Sequence, residues 1–171
     1  MNKKKIIINS ILIILLCSGI HFLYDSIPCF ITSIFSPVNE SIWEHLKLIF
    51  TSCIVYTLVS NIFYKDKNIF LIAYLRGMLT IIILLTLYLP SRAIFGEIMP
   101  LTLIILFISI LISEIIINKY IDKEYNKFNI ISIFLILLDF IIFGYFTYNP
   151  IKTSLFYDTK NDKYGIDIIK K

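Results

Sequence analysis

Long apolar runs separated by short charged punctuation make up most of the chain. The first, IIINSILIILLCSGIHFLY (residues 6–24), follows Lys3, Lys4 and Lys5. A second extends from Pro37 to about Tyr64, and a third, IFLIAYLRGMLTIIILLTLYL (69–89), stops before Pro90. A fourth runs from about Ile98 to Asn118 and a fifth from about Phe128 to Tyr148, ahead of Pro150. Runs of about 20 residues match what is needed to cross about 30 Å of hydrocarbon at 1.5 Å per residue. The pattern predicts an all-α, polytopic integral membrane bundle of about five transmembrane helices, at about 6–25, 37–64, 69–89, 98–118 and 128–148. These form a single transmembrane domain over 1–171, with a polar C-terminal tail at 149–171. The first run continues through Ile20, Phe22 and Leu23, beyond the 7–15 residues of a secretory signal core, and reads as an uncleaved span. Ser36 followed by Pro37 reads as the start of the second helix.

Composition agrees with this. Hydrophobic residues make up 58% and charged residues 16%, against about 25% charged in soluble globular proteins, which excludes an ordinary soluble domain. The net charge is +4, but the lysines sit at the ends of apolar runs, so they read as topology signals and lipid contacts. The expected partner is the lipid bilayer, and no nucleic acid is expected. One side of the bundle collects Lys3, Lys4, Lys5, Lys65, Lys67, Lys119, Lys123 and Lys127, while the short loops opposite carry only Arg92. A multi-pass protein of the cell (inner, cytoplasmic) membrane follows, with the N-terminus cytoplasmic and the C-terminus extracytoplasmic. The tail, with Lys152, Lys160, Lys163, Lys170 and Lys171, runs against that orientation. Cys17, Cys29 and Cys53 lack metal spacing and read as packing residues. Richness in Ile, Lys and Asn suggests an AT-rich bacterial genome.

Polar side chains concentrate in SPVNESIWEHLK (36–47). On a helix begun at Pro37, Glu40, Glu44 and Lys47 lie about 5, 10 and 15 Å along it and share one face. His45 projects beside that stripe, and Asn39 shares a further face with Trp43. His21 and Asp25 approach the same end from the first run. Two histidines with Asp25, Glu40 and Glu44 could ligate a divalent metal. No metal is assigned, and His21, His45 and Glu44 are the residues that would hold one. Against this stands a purely structural ion-pair network, since glutamates suit a helix N-terminus and lysine can snorkel. A lysine about 15 Å deep exceeds that reach and favours a polar cavity. Arg76 and Asp139 fall about 10 and 17 Å into their spans, where a charge costs about 2.5–3.5 kcal/mol on insertion scales. Asp139 is therefore expected to pair with Lys47 or Arg76, whereas Glu114 reads as interfacial. No catalytic residues can be named, since no serine has a nucleophile-elbow setting.

FSPVNESIWEHLKLIF, with HFLYD upstream and LFYDTKNDKYGI in the tail, resembles an uncharacterised family of small bacterial multi-spanning membrane proteins sharing a PVNESxWEHxK stretch. The resemblance covers nearly the whole chain. It implies an integral membrane protein without an established activity, substrate or cofactor, and brings no residue roles. The leading expectation is a polar cavity, open to the extracytoplasmic side and floored by Lys47, Asp139 and Arg76, that binds or moves a small polar or ionic ligand. The alternatives are a membrane-embedded enzyme, with His45 and Glu44 as acid and base and a possible metal, acting on lipid or an envelope substrate, and a non-catalytic accessory protein.

Overall fold

In the computed structural model, residues 3–120 and 125–166 are described; Lys123, Lys170 and Lys171 of the charge pattern lie outside the described residues. Five long helices cross the apolar runs: α1 (Lys3–His21), α4 (Ile42–Tyr64), α5 (Ile69–Phe95), α6 (Met99–Tyr120) and α7 (Asn126–Tyr148). All five are long and apolar enough to cross a membrane, as the hydrophobic pattern predicts. Two short helices, α2 (Leu23–Ser26) and α3 (Phe30–Phe35), fold the connection between α1 and α4. After α7 a small antiparallel hairpin pairs β1 (Tyr157–Asp158) with β2 (Lys163–Tyr164).

The second long helix begins at Ile42, not at Pro37. Ser41 is its N-cap, in extended conformation, and its Oγ accepts the Glu44 N–H at 3.4 Å. The Glu44 carboxylate reaches back to the Val38 N–H at 3.1 Å. Ser36 instead closes α3, both its N–H and its hydroxyl donating to the Thr32 carbonyl at 2.9 and 2.8 Å. A serine before proline suits a helix end as well as a start, because proline disfavours helical backbone in the residue before it. Pro90 does not close the third span either. α5 continues through it to Phe95, ending at Gly96 with φ +75°. The cost is one lost backbone hydrogen bond, tolerable near a helix end.

The most polar span is the innermost. α4 packs against α1, α3, α5 and α7, and 61% of its span is buried, against 28–39% for the other four. Its polar side chains are thereby kept from lipid, and the exposed Ile, Leu and Phe of the outer helices face outward. Phe50, fully buried, lies against Gly77 of α5, where an added Cβ would come within 2.6 Å of the ring. Cys17 and Cys53 join this core, while Cys29 is exposed and caps α3, a correction to its packing role.

The described part of the tail, 149–166, folds back onto the bundle. The Trp43 N–H donates to the Leu155 carbonyl at 2.9 Å, the Ile166 N–H to Thr147 O at 3.1 Å, and Asn39 Nδ2 to Gly165 O at 2.8 Å. Phe156 is buried against Trp43 and Phe146. Gly165 has φ +61°, and a Cβ there would sit 2.7 Å from the Thr147 carbonyl, so glycine is required for this close approach. The bundle thus has a hairpin end, and a lysine end bearing Lys3–Lys5, Lys65 and Lys67.

Candidate functional site

At the hairpin end, the last turn of α1, the bent, non-helical segment before α4 and the first turn of α4 bring His21, Glu40 and His45 together. Their ligand atoms all lie within 4.8 Å of one another. Glu40 Oε2 is 3.8 Å from His21 Nε2 and 3.5 Å from His45 Nε2. The imidazole rings are tilted, with centroids 5.4 Å apart. His45 Nδ1 lies 2.9 Å from the Ser41 carbonyl, which can only accept, so Nδ1 carries a proton and Nε2 faces Glu40. The three side chains are half-buried. Asp25 is within electrostatic reach of His21, and Lys160 Nζ stands 3.8 Å from Glu40 Oε1.

The hairpin holds Glu40 in place. Asp158, fully buried, accepts the Glu40 N–H at 3.0 Å, the Lys160 and Asn161 N–H groups at 2.9 and 3.1 Å, and Asn161 Nδ2 at 2.8 Å. Burial alone would push its carboxyl up, but these donors outweigh it and hold the group below the ordinary aspartate range. Asn39 is a clamp and not a wall of the cluster: besides bonding Gly165, its Oδ1 accepts the Ser41 N–H at 2.9 Å.

Glu44 and Lys47 point elsewhere. Lys47 Nζ is 2.5 Å from Glu44 Oε2 and donates to Ser33 O at 2.7 Å and Thr147 Oγ1 at 2.9 Å; the Thr147 hydroxyl lies 2.7 Å from Glu44 Oε1. Lys47 is 0% and Glu44 1% exposed, so this pair is sealed within the bundle and floors no open cavity. Glu44 does not join the two histidines as a metal ligand: although next to His45 in α4, it projects about 100° round the helix, where Lys47, Thr147 and the Val38 N–H hold its carboxylate.

A second buried network lies nearer the lysine end. Arg76 pairs with Glu114 and donates to Thr57 Oγ1, and its guanidinium lies 5.1 Å from the centroid of the Tyr56 ring. Asn9 Nδ2 donates to Glu114 Oε2 at 2.7 Å, and the Tyr56 hydroxyl donates to Asn9 Oδ1 at 2.6 Å. Glu114 is fully buried and not interfacial: Asn9 of α1 and Arg76 of α5 bond it directly, and Tyr56 and Thr57 of α4 hold those two partners. Asp139 meets neither Lys47 nor Arg76, both already matched to glutamates.

The family model for a family of unknown function, DUF6512, matches residues 1–166. The chain belongs to the DUF6512 family. No curated protein and no solved structure matches it. The match spans α1 to the end of the hairpin, so every group of the three clusters in this DUF6512 protein lies inside it. The periodicity reading missed Glu114, Asn9, Tyr56, Thr57, Thr147 and Asp158. Ser41-Ile42-Trp43-Glu44, a capping-box spacing, marks the true start of α4 and would have separated Glu40 from the helical stripe.

Proposed function

We propose that this DUF6512 protein binds a divalent transition-metal ion through His21, Glu40 and His45, at the extracytoplasmic face of the cell membrane. The observation that carries this reading is the convergence of three donor atoms within 4.8 Å, on a histidine already oriented by a carbonyl. Tetrahedral ligands about 2.0–2.1 Å from zinc stand roughly 3.3 Å apart, so the 3.5 and 3.8 Å separations from Glu40 need small side-chain adjustments, and the two histidine nitrogens, within 4.8 Å of each other, must close to the same spacing. Two imidazoles and one carboxylate suit zinc, manganese or iron, and exclude a soft-metal thiolate site. The ion is the small ionic ligand the charge pattern calls for, and its place is a surface cluster instead of a central cavity.

A second reading, a metal-dependent enzyme acting on lipid or another envelope substrate, is favoured by one feature. With three protein donors among the described residues, all half-exposed, a bound ion keeps an open position toward the membrane surface for water or substrate. His45 then acts as a ligand and not as the acid or base, and Glu44, locked to Lys47, takes no part.

Metal-stripped protein in detergent, titrated with Zn2+ or Mn2+, is expected to take up one equivalent and to melt at higher temperature; saturation at 100 times Kd corresponds to about 2.7 kcal/mol. His45→Ala and Glu40→Gln should each weaken binding by roughly 100-fold or more, the upper end of what even an outer-shell change costs. Protein that takes up no metal while its fold is intact would leave the accessory, purely structural reading.

A further inference from the structure

Asp139 lies in the middle of α7, about 20 Å from Asn126 and about 14 Å from Tyr148 by helical rise. Its Oδ2 is buried and has no hydrogen-bond partner. Among the described residues it is the one acid deep in a span without a counter-charge: Glu44 has Lys47 and Glu114 has Arg76. Acids at this depth are expensive and normally find a partner. The residue sits at the margin of the packed face of α7. Ile136 and Phe143 on one side are buried, Leu138 and Ile142 on the other are exposed, and the Tyr74 phenol of α5 is within electrostatic reach. At 3.6 residues per turn this margin is roughly opposite the face that Leu137, Ile141 and Gly144 present toward Phe30 and Ile34 of α3. It is therefore the α5 side of α7, outside the cover that α3 provides.

We infer that Asp139 marks a docking seam between α5 and α7 for a transmembrane helix of another membrane protein, one that carries a lysine or arginine at mid-depth. Charge complementarity selects that occupant. A second copy of this chain cannot supply the cation, because its own mid-span Lys47 and Arg76 are 0% and 5% exposed and already engaged. The incoming ammonium or guanidinium would approach the half-buried carboxyl from its exposed edge and supply the counter-charge that it lacks within the bundle, while Leu138 and Ile142 pack against the apolar neighbours of that cation.

The test uses the full chain in phosphatidylcholine vesicles, labelled with a fluorescence donor. The probe is an acceptor-labelled, leucine-rich transmembrane peptide with one central lysine, compared with the same peptide having leucine there. Energy transfer should be several-fold greater with the lysine peptide, fall to the leucine-peptide level in Asp139→Leu, and fall partway in Asp139→Asn. Equal transfer with the two peptides, or transfer unchanged in Asp139→Leu, would overturn the proposal without recourse to any variant that misfolds. Self-association of the chain that Asp139→Leu abolishes, with no preference for the lysine peptide, would overturn it in favour of a second copy.

Discussion

Lys47 spends all three of its ammonium protons inside the protein, on Glu44, on the Ser33 carbonyl and on Thr147. A buried pair this well satisfied is costly to break from one side and cheap to replace from both. Lys47→Met leaves the Glu44 carboxylate buried without its cation and should lower unfolding stability in detergent by about 3–5 kcal/mol. Glu44→Leu should do the same, and the double variant should recover most of the loss. Single effects that merely add would show the two residues to be uncoupled. The Glu44 to Lys47 pairing was visible as an i, i+3 pair in the favourable order. The partners of Arg76 were not, because Glu114 comes from 38 positions away and Asn9 is 105 from Glu114, and helical periodicity says nothing about which faces meet. His21 and His45 were legible as neighbours, since both fall at the same end of adjacent spans. Glu40 could be given its place only once the backbone before Ile42 was known to be non-helical.

At the scale of elements, the five long helices follow directly from the lengths of the apolar runs, whereas their ends depend on caps that hydropathy does not register. Ser36-Pro37 and Pro90 both look like boundaries; one ends α3, and the other lies within α5. The hairpin is the element least legible in advance, because a polar, lysine-bearing segment reads as a free tail until its carbonyl and carboxylate partners are known. Its attachment is acid-sensitive. Because the folded-state pKa of Asp158 is depressed below 3.8, the stability it contributes is fully present above that value and is lost as pH falls through the folded pKa. Trp43 is the single tryptophan and packs on Phe156, so its fluorescence reports docking. The signal should hold from neutral pH down to about pH 4 and change below it. Asp158→Asn should shift it already at neutral pH, with a loss of roughly 2–3 kcal/mol, since an amide cannot accept from all four donors. An unchanged signal in that variant would mean that Asp158 does not hold the hairpin.

For the molecule as a whole, orientation is the property that lysine placement argues and that the bundle alone leaves symmetric. In a Cys29→Ser background, which removes the exposed native thiol, Lys160→Cys should react with a membrane-impermeant maleimide in intact cells. Asp66→Cys, at the lysine end, should react only after permeabilisation, and the reverse pattern would invert the topology. The hairpin's return to the start of α4 also sets a timetable. Glu40 and Asp158 are 118 positions apart, so at about 5–20 residues per second the ribosome completes the clamp roughly 6–24 s after it has made the glutamate. During that interval Glu40 lacks its Asp158 partner, and in the proposed orientation maturation of the histidine cluster would wait on delivery of the last segment across the membrane.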